Sequence, residues 1–228
     1  TSTRAYVNNI FQNSRSNSTT GGPHYGYRLS GTGPNPTGLT TNYNVIYVNG
    51  TGGILGFYNA AISTLNGWQT ATGQDANSIS GADPQFIAPN GSNSTVDLHI
   101  HPSNPTPIEG TGTVIAAVTD DYDGETRGLL TPVDIGADAG NFVTMPSMVY
   151  VSSTTTQNVN VTGPGATNVQ VIGIEIVTSN ILNPLQVTEI VLNTAGDQGT
   201  TNDADLISAE LYYTGTSNVF STGTMYGT

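Results

Sequence analysis

Short apolar runs broken by Asn, Gly, Ser and Thr set the pattern of the first part of the chain. Residues 5–13, AYVNNIFQN, predict a β segment in which Asn8, Asn9 and Asn13 surround Ile10 and Phe11. The unit returns at 43–49, YNVIYVN, where Asn44, Val45, Ile46 and Tyr47 echo Asn9, Ile10 and Phe11. GILGFY at 53–58 is a third run. Strands recurring in this way, with Gly and Asn at the corners, predict stacked coils whose inward Asn side chains bond from rung to rung. Hairpins with Asn-Gly turns fit the same composition and are the alternative. Residues 14–42, rich in Ser, Thr, Gly and Pro, read as a long excursion from one coil.

One helical turn is predicted, at 63–72, STLNGWQTAT, with Ser63 or Thr64 as its cap and Trp68 as its anchor. Asp83-Pro84 fixes an extended turn that points Phe86 and Ile87 inward. Residues 96–101 alternate, placing Val96, Leu98 and Ile100 on one strand face and Asp97, His99 and His101 on the other. Beyond Gly140 the alternation is that of an antiparallel sandwich. Met148 and Tyr150 fall on one strand and Val159 and Val161 on another. A change of parity between Val171 and Ile172 marks a bulge. Ile207, Ala209, Leu211 and Tyr213 share the last face. The domain boundary is expected at residue 140, giving units of 1–140 and 141–228.

Composition changes this picture in one respect. Charged residues are only 9% of 228 residues, lysine is absent, and the net charge is −12. Nucleic acid and membrane insertion are therefore excluded as expectations, and divalent cations are the natural counter-ions. The lack of cysteine points to an exported bacterial protein or a large β fold without staples. Thr1-Ser2-Thr3-Arg4 leads straight into a strand-like run, as in a piece cut from something longer.

Candidate chemistry concentrates in Asp120 to Ala139, DDYDGETRGLLTPVDIGADA. Asp121-Tyr122-Asp123-Gly124 has the Asp-x-Asp-Gly pattern that turns carboxylates inward, so Asp121 and Asp123 are the candidate calcium ligands. It is not an EF-hand, because Pro132 stands where the bidentate Glu would be. The alternative is a structural turn, with Arg127 pinning it and Asp134 and Asp138 capping backbone amides. A second acidic loop carries Asp197, Asp203 and Asp205. His99 and His101 have zinc-compatible spacing without an evident third ligand. No cofactor is required by this reading.

The runs ADPQFI, DLHIHPSNPTPIEGTG, DYDGETR and TPVDIGADAG, with NNIFQNSRSN and TLNGWQTATGQDANSI upstream, resemble the C-terminal part of right-handed parallel β-helix proteins of the pectate-lyase-like superfamily. Such proteins are common among large exported surface proteins of Bacteroidetes-type bacteria. The resemblance covers roughly residues 5–140 and departs from the family ending at Ala139, where Glu is usual. Residues 141–228, with IGIE at 172–175 and AELYYTGT at 209–216, resemble the sandwich module that precedes BNR-repeat sialidases. The resemblance implies an all-β chain: a right-handed parallel β-helix, then an Ig-like or jelly-roll sandwich. It implies a non-enzymatic stalk, adhesin or filament segment outside the cell, whose partners are surface glycans or other copies and modules of the same protein. A fragment of a carbohydrate-active enzyme and a carbohydrate-binding module are the alternatives. His24-Tyr25 with Arg28 is the one basic and aromatic cluster available to a lyase.

Overall fold

In the computed structural model, which describes residues 3–17, 21–31, 36–130, 132–160, 163, 165–192 and 208–227, the Asn9 and Asn44 segments stack. β1 (Arg4–Val7), β2 (Ile10–Asn13) and β3 (His24–Leu29) make one coil. β4 (Leu39–Asn42), β5 (Val45–Val48) and β6 (Gly53–Tyr58) make the next. Each strand pairs in parallel with its predecessor: Arg4 opposite Leu39, Ile10 opposite Val45, His24 opposite Gly53. The fold is thus a parallel β-solenoid, and the hairpin alternative for this segment falls. The chain then makes β7 (Ala60–Ile62), α1 (Leu65–Thr72) and β8 (Ile79–Ser80), and β8 adds a third parallel rung to β5.

Repetition is visible in single bonds. Val45 N donates to Asn9 O at 2.9 Å, and Ile79 N repeats this to Asn44 O at 2.8 Å. Asn44 Oδ1 accepts from Asn9 N at 2.8 Å, and Ser78 Oγ accepts from Asn44 N at 2.9 Å. The inward polar ladder therefore exists, with Ser78 in place of Asn on its third rung. Asn8 and Tyr43, immediately before the ladder residues, both take the left-handed conformation that turns each corner (φ 57° and 54°).

Two expectations for this region change. HYGYRL at 24–29 is β3 and LTTN at 39–42 is β4, so the supposed excursion of 14–42 contains two solenoid strands. GILGFY is the mate of HYGYRL rather than another copy of the Asn unit. Aromatic residues with glycine between them lack the clean alternation that would have marked β3 as a strand.

Adjacent residues of β5 face opposite sides. Ile46 joins Tyr27, Leu55, Tyr58 and Trp68 in one core, and Val45 joins Ile100, Ile108 and Ile135 in another. The second core is completed by β9 (Phe86–Ala88) and its antiparallel partner β10 (Asp97–Ile100), with Phe86 packed against it. Ile108 and Ile135 pack on a sheet face, and β7 takes the edge of β6 by pairing antiparallel to it. Ile87 is 49% exposed, so only Phe86 of that pair turns inward. Leu98 is 55% exposed while Ile100 is buried, because the register shifts between Asp97 and Ile100 and breaks the expected apolar face.

Helix α1 follows its sequence signals. Thr64 Oγ1 accepts from Gly67 N at 3.1 Å, and Gly73 ends the helix in the left-handed region. Trp68 is wholly buried. Gly56 makes room for it: a Cβ there would stand 2.6 Å from the indole Cζ3.

β11 (Pro105–Thr106) pairs in parallel with β12 (Val143–Thr144), which holds the chain beyond residue 140 on the first unit. That unit comprises Thr1–Met148 and Asn180–Pro184. The return segment is tied in by Met148 N to Leu182 O at 2.6 Å and by Asn180 Nδ2 to Ser147 O at 3.1 Å.

The second unit comprises Val149–Ser179 and Leu185–Thr228. Its described residues form two antiparallel ribbons: β13 (Val149–Gln157) with β14 (Ile172–Ser179), and β15 (Leu211–Tyr212) with β16 (Met225–Gly227). The parity change at Val171/Ile172 is the start of β14, and the register shift lies between Tyr150 and Ser152 on the partner strand. Val159 is 84% exposed and outside any strand. Tyr213 is exposed and Ala209 is not in a strand, while Val161 and Ile207 lie outside the described residues.

Candidate functional site

The acidic stretch folds into a tight turn beside β10. Asp121 N donates to Glu125 O at 2.9 Å, and Gly124 takes φ 82°. Asp121 Oδ1 accepts the amides of Asp123 (2.9 Å) and Glu125 (2.8 Å), the self-capping geometry that Asp favours in turns. Asp138 Oδ2 accepts the amide of Ile100 at 2.6 Å, joining the acidic stretch to β10.

Asp121, Asp123 and Asp138 come together here. Each offers a carboxylate oxygen within 4.8 Å of the other two. Oxygen ligands about 2.3–2.6 Å from a calcium ion lie within roughly 5 Å of one another, so the spacing suits that ion. Asp138 joins two residues that sequence spacing had grouped without it. Burial, and secondarily the charges of Asp121 and Asp123, pushes the Asp138 carboxyl above its ordinary pKa.

His99 sits beside this group. Its Nδ1 lies 2.6 Å from Asp97 Oδ1 and its Nε2 lies 3.2 Å from Asp123 Oδ2. The hydrogen bond with Asp97, then that with Asp123, raises the imidazole pKa. The amide and ring of His99 hold Asp97 below the usual carboxylate range. Tyr122 meets His99 edge to face at 5.9 Å and is 75% exposed. His101 does not join them: its Nδ1 accepts Ser103 N at 3.2 Å.

Arg127 makes no ion pair with a described carboxylate. Its guanidinium donates to the carbonyls of Asp134 (3.5 Å), Gly136 and Ala137 (3.1 Å), gathering a loop by its backbone. Asp134 is buried and accepts the amides of Gly110 (2.8 Å) and Gly140 (3.0 Å). Burial pushes its pKa up to about 6. A carboxyl whose folded pKa exceeds its unfolded value binds its proton more tightly when folded. Its contribution is therefore greatest at low pH and is lost as pH rises from about 4 through about 6. We expect Asp134→Asn to remove a pH-dependent fall in stability of about 3 kcal/mol over that window, measured as the difference between the two proteins' unfolding free energies at each pH. A parallel pH dependence in both would contradict it.

The other candidates stay apart. Tyr25 and Arg28 both pack on Phe57, with ring centroids 5.5 Å apart and the guanidinium carbon 5.2 Å above the ring. His24 Nε2 is buried without a hydrogen-bond partner among the described residues. Asp197, Asp203 and Asp205 lie outside the described residues. A hollow between Ile46, Val48, Leu55, Ser63 and Ser80 carries no titratable side chain.

Sequence reasoning missed Asp75. It is 1% exposed and joins helix to coils. Oδ1 accepts from Thr41 Oγ1 (3.1 Å), Asn44 Nδ2 (3.2 Å) and Ser78 Oγ (2.6 Å), and Oδ2 accepts from Trp68 Nε1 (2.9 Å). With burial as the larger cause, Asp75 also drives the Tyr27 phenol well above its ordinary pKa. The available signal was the repeat: Asp75 follows Thr41 by 34 residues, as Ser78 follows Asn44.

Among the described residues no helix is long and apolar enough to cross a membrane. Compared with protein-family models, curated proteins and solved structures, the chain has no significant match to any of them.

Proposed function

We propose that this chain is a structural or adhesive segment of a large secreted or cell-surface bacterial protein. The observation that carries the reading is the rung-to-rung continuity of the solenoid, in which the same backbone bond and the side-chain bond beside it, to Asn44 and then to Ser78, recur from coil to coil. Stacked units that each contact their neighbours make stiff, extensible rods, the mechanical requirement of a stalk or adhesin. The right-handed pectate-lyase-like winding, the sandwich module in the second unit and the Bacteroidetes-type setting belong to this proposal, supported by the motifs quoted above.

We further propose that Asp121, Asp123 and Asp138 bind calcium and lock the acidic turn against β10. Adding calcium is expected to raise the melting temperature of the wild type and leave Asp121→Asn/Asp123→Asn/Asp138→Asn unmoved. Equal curves with calcium and with chelator would remove the metal. A second reading, carbohydrate binding at this turn, is favoured by exposed Tyr122 beside the carboxylates, since an aromatic face next to polar groups suits a sugar ring. Glycan-array binding together with polysaccharide lyase and sialidase assays separates the readings. Turnover of any polysaccharide would sink the structural one.

A further inference from the structure

Charge is divided unevenly along the chain. Residues 1–74 contain Arg4, Arg15 and Arg28 and no Asp or Glu, whereas the 16 acidic residues all lie from Asp75 onward, with Arg127 their one companion. The three arginines belong to one coil: Arg4 on β1, Arg15 just after β2, Arg28 on β3. All three are exposed, and among the described residues none pairs with a carboxylate.

That coil is also the open end of the stack. Among the described residues β1 pairs only with β4, β2 only with β5 and β3 only with β6. Among the described residues no strand lies along their other edges. Exposed edges are commonly blunted with lysine, proline or a bulge, and β1 to β3 contain neither lysine nor proline and pair without a register shift in β1 and β2. On the sheet of β3 and β6, β7 runs antiparallel along β6, so parallel growth of that sheet stops there. The same unit carries the complement to a basic edge: Asp120, Asp123 and Glu125 are exposed together on the acidic turn.

We propose that the basic open coil docks on the acidic turn of a second copy of this chain. The occupant is a second copy because each molecule carries both halves of the charge match. Because the two surfaces differ, the contact is head-to-tail, and each added copy presents a fresh basic edge. The proposal deepens the structural reading by naming its partner, and it goes beyond it in predicting assembly by the isolated chain.

The test is sedimentation velocity of the full chain in EDTA, which keeps the acidic turn free of divalent ions. At low ionic strength the mass should rise above 23.6 kDa with concentration. It should fall back to that value in roughly 0.5 M salt, where charges more than a few ångströms apart are screened. Arg4→Gln/Arg15→Gln/Arg28→Gln and Asp120→Asn/Asp123→Asn/Glu125→Gln should each be monomeric alone. Mixed, they should form a dimer that grows no further, since each supplies one intact surface. Circular dichroism of both variants verifies that they fold. A wild type monomeric at every salt concentration overturns the proposal, as does association that salt and both variants leave unchanged. Either result would leave the structural reading standing, because that reading falls only to polysaccharide turnover.

Discussion

Replacing Asp75 with Ala is expected to lower the stability of the first unit by about 4 kcal/mol, near the top of the range for a point substitution. The carboxylate accepts four hydrogen bonds from Thr41, Asn44, Ser78 and Trp68, all of them buried. Each donor left unmatched in a dry interior costs about 1–3 kcal/mol. The hydroxyls of Thr41 and Ser78 can rotate to other acceptors, but the indole N–H of Trp68 is fixed by its ring. Asp75→Asn should cost about half as much, because the amide oxygen keeps one side of the network while its NH2 opposes a donor. Trp68 is the sole tryptophan, so its fluorescence during urea unfolding reports this unit alone. Stability losses within 1 kcal/mol for both variants would show that Asp75 is a passenger in the ladder.

Trp68→Ala is expected to cost at least as much, about 4–5 kcal/mol. The indole is wholly buried among Tyr27, Ile46, Leu55 and Tyr58 and stacks on Tyr27 with ring centroids 5.2 Å apart. The backbone at Gly56 cannot collapse onto the vacated space without moving a paired strand of the solenoid. A cavity that cannot close loses its contacts outright. The substitution also withdraws the donor to Asp75 Oδ2, so the double variant Asp75→Ala/Trp68→Ala should be less destabilised than the sum of the two. Calorimetry suits this series, since the fluorescent reporter is gone. Strict additivity would mean that the helix and the ladder are energetically separate.

Both effects depend on residues that the sequence disclosed to different degrees. Trp68 was legible, because a single tryptophan in a capped amphipathic turn has few other uses. Asp75 was not, because its partners Thr41 and Asn44 are more than thirty residues away and become neighbours only when coils stack. The same holds at the candidate metal site. Asp121 and Asp123 are joined by a local turn, and the Asp-x-Asp-Gly pattern discloses it. Asp138 arrives through its bond to Ile100, a contact 38 residues long in sequence. His99 arrives through its contact with Asp123, 24 residues away in sequence.

By itself the sequence determined the repeat. Asn9, Ile10 and Phe11 recur as Asn44, Val45 and Ile46, and the parallel pairing matches them residue for residue. A period survives in sequence because every rung must present the same groups to the next. Only the tertiary structure decided what lies against the repeat: which face of β5 meets Ile108 and Ile135, and how β7 takes the edge of β6. Those contacts are not periodic. They rest on shape and burial between distant segments, which leave no spacing to read.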